Sequence, residues 1–132
     1  YESSAEISGS ENHILLEEYL TFIRKFDQEN LKLVKIYFNE LRENNISEKL
    51  DSIQKKMDNL LLRRYLFTLN FASTNYNREI APYLLLTEVN DTSIKLLDSV
   101  MVKLSPEVKI SKYGKDLQLL IKKRKKEERS SD

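Results

Sequence analysis

Over 132 residues the chain contains only two glycines, Gly9 and Gly114, and two prolines, Pro82 and Pro106. Tight chain reversals rely on residues that accept positive φ or hold φ fixed, and Gly and Pro are the main ones. A β-sandwich or barrel needs such a turn about every 8–12 residues. This chain cannot supply them, so its expected fold class is all-α. Hydrophobic residues make up 40% and charged residues 33%. That balance suits amphipathic helices with solvated outer faces.

Hydrophobic periodicity places the helices. Residues 1–12 are rich in Ser and Glu and read as a disordered lead-in. From Ile14 the residues Leu16, Tyr19, Leu20, Ile23 and Phe26 recur at three- and four-residue steps. Asp27-Gln28 suggests a boundary. A second helix is then expected over 29–42, with Leu31, Val34, Phe38 and Leu41 on one stripe and Leu33, Ile36 and Tyr37 widening it. So broad an apolar surface calls for two packing partners. Residues 14–43 are therefore expected to form a helical hairpin, and that hairpin is a candidate homodimerisation element.

Residues 48–126 read as the core bundle. After a break at Glu43-Asn44-Asn45, Ser47 is a candidate N-cap for a long helix carrying Leu50, Ile53, Met57, Leu60 and Leu61. A shorter helix holds Pro82 in its first turn, where proline is tolerated. The next spans about 92–104. Ser105-Pro106-Glu107 is a strong helix start, and the last helix runs from there into the basic run. The expectation is a bundle of about five to six helices, an N-terminal hairpin on a four-helix core. Residues 13–126 would form one domain, with 127–132 as a disordered tail. A start at Tyr1 reads as a segment of a larger regulatory or scaffold protein.

Catalytic and metal chemistry finds little to work with. There is no cysteine, and His13 is the one histidine. A zinc site needs several nitrogen or sulfur ligands at fixed spacing. A catalytic triad would need His13 buried and oriented. Adjacent acids such as Glu17-Glu18 diverge around a helix rather than converging on a substrate. The two glycines are too far apart for a phosphate-cradling loop. No enzyme activity and no cofactor are expected, and no apolar run is long enough for a membrane span.

Two features suggest binding. Residues 1–51 carry five more acids than bases, and residues 52–132 carry six more bases than acids. Much of that excess is the run Lys122, Lys123, Arg124, Lys125 and Lys126. It reads as a nuclear-localisation signal, as a phosphate contact to nucleic acid, or as a solvated helix end where cations complement the dipole. Phe71, Tyr76 and Tyr83 flank a polar turn. They form either a docking pocket for a partner helix or short linear motif, or the apolar closure of the bundle end.

From Leu60 onward the order of motifs resembles a known family. A leucine-rich helix, Leu60-Leu61-Leu62-Arg63-Arg64-Tyr65-Leu66, leads to Leu84-Leu85-Leu86-Thr87-Glu88-Val89. Then come Ile94-Lys95-Leu96-Leu97, Pro106-Glu107-Val108 and Gly114-Lys115-Asp116-Leu117, before the Lys-rich run. This is similar to the N-terminal domain of transcription elongation factor TFIIS and to integrase-binding-domain-like modules, over about the last 70 residues. The resemblance implies a nuclear, transcription- or chromatin-related domain that docks short disordered motifs. The contact zone it implies is the loop end near Phe71, Tyr76 and Tyr83.

Overall fold

A computed structural model describes residues 10–130. Residues 1–9 and 131–132, the outer parts of the expected lead-in and tail, lie outside the described residues. The protein is an all-α helical bundle. In chain order the helices are α1 (Ser10–Glu43), α2 (Ser47–Thr74), α3 (Ile80–Glu88), α4 (Ile94–Lys103), α5 (Pro106–Lys109) and α6 (Lys112–Ser130). None of the described helices is long and apolar enough to cross a membrane.

The expected hairpin within 14–43 does not form. α1 is one helix of 34 residues and runs straight through Asp27-Gln28. Neither residue breaks a helix, since both cost only a few tenths of a kcal/mol relative to better formers. Asp27 serves as a tertiary anchor instead: its carboxylate accepts from Arg64 Nε at 3.3 Å. The reversal comes later, at Asn44–Ile46. There Asn45 adopts φ 52°, and its N–H returns to the Glu40 carbonyl. Asn tolerates this left-handed conformation better than most residues.

The chain divides into two compact units. One is Glu18–Arg64; the other takes the chain up to Glu17 and from Tyr65 onward. Within Glu18–Arg64, α1 and α2 run antiparallel. Glu29 pairs with Arg63 and Glu40 with Lys49, so residues descending one helix meet residues ascending the other. Leu33, Val34 and Tyr37 of α1 and Leu50, Ile53 and Met57 of α2 are half-buried, as residues of a shared seam should be.

The other unit contains the contiguous core. Leu69 and Ala72 of α2, Ala81 and Leu85 of α3, Leu97 and Val100 of α4, Val108 of α5 and Leu117 and Ile121 of α6 belong to one buried cluster. α6 packs against α3, α4 and α5. α3 is apolar nearly all round, with Ile80 to Leu85 all buried, which marks it as the central helix. Its own N-cap, Glu79, makes no side-chain cap bond. Asn12 of α1 supplies one from outside, its Oδ1 accepting the Ile80 N–H at 3.2 Å. Arg78 Nη2 to Glu11 Oε1, 3.1 Å, closes the same junction. Residues 10–12, expected in the lead-in, are therefore the first turn of α1.

Serine caps begin the later helices. Ser93 Oγ accepts the Leu96 N–H, and Ser105 Oγ accepts the Val108 N–H ahead of Pro106. The last helix is not continuous from there. α5 stops after one turn, and Ser111 restarts the chain by accepting the Gly114 N–H at 3.2 Å. Gly114 allows the two backbones to meet. A Cβ there would fall on the Val108 carbonyl oxygen and within 2.7 Å of the Lys109 carbonyl oxygen. α6 then extends to Ser130, so the expected tail from 127 is helical through Ser130.

Candidate functional site

The three aromatic residues singled out from the sequence have different fates. Tyr83 is 1% exposed and stacks edge-on against Tyr113, with ring centroids 5.2 Å apart. Its ring lies in the interior rather than at the surface. Phe71 is half-buried on α2 and pairs with Phe67 at 6.0 Å. Tyr76 is 48% exposed. Its backbone carbonyl accepts the Ser105 N–H, which ties the turn after α2 to the start of α5. Of the three, Tyr76 is the one that offers its ring to solvent. Sequence position did not separate Tyr76 from Tyr83, because the burial of Tyr83 depends on Tyr113, thirty residues away.

The basic run is also divided. It is helical, within α6. Arg124 reaches back to the α3–α4 turn, where Nη1 donates to the Asn90 carbonyl at 2.9 Å and to the Thr92 carbonyl. Both carbonyls belong to the turn between the C-cap of α3, Val89, and the N-cap of α4, Ser93. Lys125 pairs with Asp98 of α4 at 3.0 Å. Two of the five cations are thus tethers holding α6 to its neighbours. Lys122, Lys123 and Lys126 remain exposed.

The tethers define a groove that the sequence did not announce. Between α4 and α6 lies an open cavity of about 620 Å³. Met101 of α4 and Ile121 of α6 are nearly buried in its floor, and Leu119, 65% exposed, stands at its edge. Lys115, Lys122 and Arg129 line it from α6. These three are seven residues apart in sequence. Two helical turns bring each onto nearly the same face, about 10.5 Å beyond the last. The one acid in the lining, Asp98, is already engaged by Lys125. The groove therefore combines an apolar floor with a cationic wall. The signal available in the sequence was that seven-residue recurrence of bases beside Leu119 and Ile121.

No described residues form a group of three or more His, Cys, Asp or Glu able to hold a metal ion. His13 is exposed on the first turns of α1. Fold and groove together define an all-α domain with a charged apolar cleft. Comparison with known proteins adds no relative: no family model, no curated protein and no solved structure matches the chain.

Proposed function

We propose that the chain is a non-enzymatic protein-interaction domain that docks an acidic amphipathic helix, or a short linear motif of that character, in the α4–α6 groove. The observation that carries this reading is the line of Lys115, Lys122 and Arg129 beside the Met101 and Ile121 floor. A peptide helix laid in a groove is held by apolar anchors at three- and four-residue spacing. Acids on its flank at seven-residue steps would match the cationic wall. Charge of this kind selects partners and raises association rates more than it adds raw affinity. The methionine in the floor adapts to side chains of different shape.

The nuclear, transcription- or chromatin-related setting is part of the proposal. Its support is the TFIIS-like order of motifs from Leu60 onward and the exposed lysines of the basic run. The second reading, nucleic-acid binding, draws on the same cations, since Lys122, Lys126 and Arg129 also line a shallow concavity along α6. Competing titrations separate the two. A labelled amphipathic helical peptide, with leucines on one face and glutamates along its flank, should bind the chain. Replacing Lys115, Lys122 and Arg129 together by Glu should weaken it by about tenfold or more, while Tyr76→Ala should leave it unchanged. Duplex DNA or RNA binding tighter than the peptide at near-physiological salt, with a steep loss as salt rises, would favour the nucleic-acid reading instead.

A further inference from the structure

Glu18–Arg64 carries an apolar stripe of which its own seam covers only Val34, and that in part. We infer that this stripe is a dimerisation surface whose occupant is a second copy of this chain. The two hairpins lie side by side with their tips together, α1 of each over α2 of the other.

Leu31, Val34, Phe38 and Leu41 alternate steps of three and four residues. That is the a and d spacing by which helices supercoil around each other. Leu31 is 54% exposed, Phe38 60% and Leu41 42%. At about 100° per residue the stripe is turned roughly a quarter of a revolution from the seam. The Glu29–Arg63 and Glu40–Lys49 pairs occupy one side of the hairpin. The stripe lies on the other side, where Asp27 meets Arg64. Leu61 of α2, 51% exposed, falls on that same side. The result is a face formed by two helices with an apolar middle.

Charge selects the occupant. Lys35 and Arg42 each follow a d residue by one position, and both are exposed. Such e positions set partner choice in helix pairs. On the α2 edge of the face stand Asp51 and Asp58, also exposed and also seven residues apart. The α1 edge is cationic, and the α2 edge, where Lys55 stands between the two acids, is net anionic. A partner with a single sign of charge would satisfy one edge and offend the other, whereas a second copy satisfies both.

The direction of pairing follows as well. A twofold axis parallel to the helices lays the cationic edge of each copy on the anionic edge of the other. A twofold axis across the helices would lay like on like. The ion pairs within the hairpin place Glu29 level with Arg63 and Glu40 level with Lys49. On that register Arg42 of one copy falls within about four residues of Asp51 of the other, at most about 6 Å along the axis. Because both pairs share the seven-residue step, Lys35 meets Asp58 with the same offset. Long cationic side chains span that distance. The product is an isologous four-helix bundle of two hairpins.

Sedimentation velocity on the 132-residue chain, from low to several hundred micromolar, tests this. The expected result is a reversible monomer–dimer equilibrium. Replacing Lys35 and Arg42 by Glu should weaken it about tenfold or more. Adding Asp51→Lys and Asp58→Lys to that variant should restore it, with helical content unchanged throughout. Asn45→Cys, in a chain with no other cysteine, should cross-link through a short bismaleimide. A monomer at every concentration overturns the inference, and so does a dimer indifferent to both sets of charge changes. A dimer that forms but does not cross-link at Asn45→Cys overturns the tip-to-tip arrangement.

Discussion

Residues 65–130 and the hairpin of residues 18–64 face the same problem with different resources. Each must bury helices whose apolar stripes are broad. In the bundle, α6 packs against three other helices, and α3 has almost no exposed side. In the hairpin α1 and α2 share a seam of half-buried residues, and Leu31, Phe38 and Leu41 in the next quadrant of α1 are exposed. Between Glu18 and Arg64 the buried apolar side chains are Tyr19, Leu20, Ile23 and Leu60, all away from the tip. Toward the tip, Phe38, Leu41 and Ile46 are exposed. The number of partners a helix has, rather than its hydrophobicity, decides how much of its stripe is covered.

The sharpest way to break the bundle is through its closest backbone approach. Gly114→Ala puts a methyl onto the Val108 carbonyl, and the obstacle is main chain rather than a side chain that can swing away. Overpacking usually costs about 1–3 kcal/mol. With the backbone of Val108 and Lys109 as the obstacle, a loss of about 4 kcal/mol is expected, measured by urea denaturation, together with separation of α5 from α6. In the hairpin, an exposed helix position given the same methyl costs nothing of this kind.

Identical truncations sharpen the comparison next. Leu97 is fully buried in the bundle core, whereas Leu31 is 54% exposed on the hairpin. Leu97→Ala should destabilise by about 3 kcal/mol, the transfer term plus the cavity. Leu31→Ala should change stability by no more than about 0.5 kcal/mol in dilute solution. Its cost should grow as protein concentration rises, because a dimer would bury that leucine. A Leu31→Ala penalty matching that of Leu97→Ala in dilute solution would erase the distinction between the two regions.

Some of this was legible from residues alone. Scarcity of Gly and Pro decides the all-α class, and the Asn44–Ile46 break, the Pro82 first turn and the Ser105-Pro106 start are local signals that local physics honours. What was not legible depends on partners distant in sequence. Asp27-Gln28 looks like a boundary but becomes an anchor once Arg64 arrives beside it. Arg124 and Lys125 read as part of a uniform basic run, and only the nearness of Asn90, Thr92 and Asp98 separates them from Lys122, Lys123 and Lys126. Tyr76 and Tyr83 look alike as letters, and Tyr113 makes them different. The α4–α6 groove was missed for the same reason: its wall is written as a period of seven on α6, but its floor needs Met101 from another helix.

A smaller effect probes the borrowed cap on α3. Asn12 stands in for a side-chain cap that Glu79 does not provide. Asn12→Ala leaves the Ile80 N–H without that acceptor beside a buried helix start, which should cost about 1 kcal/mol. Asn12→Asp keeps the acceptor and adds charge favourable at a helix N-terminus, so it should restore stability. If both variants unfold at the same denaturant concentration as wild type, the junction between α1 and α3 is held by packing alone.

The smallest expected effect lies at the hairpin tip and tests whether polarity there serves stability. Glu40 projects into the seam, its side chain only 9% exposed. Oε1 faces Lys49 at 3.7 Å, and Oε2 is buried without a hydrogen-bond partner. A carboxylate so placed loses hydration on both oxygens and recovers a loose contact on one. Glu40→Gln keeps the shape and removes the buried charge, so it should stabilise the chain by about 0.5 kcal/mol. Lys49→Ala, which removes the countercharge and leaves the buried carboxylate, should move stability the other way by a similar amount. Opposite signs, read as shifts in the denaturation midpoint, mean that the carboxylate is a local cost the hairpin carries. That cost is one the densely packed bundle, where Thr68 is the one buried polar residue among the described residues, does not incur.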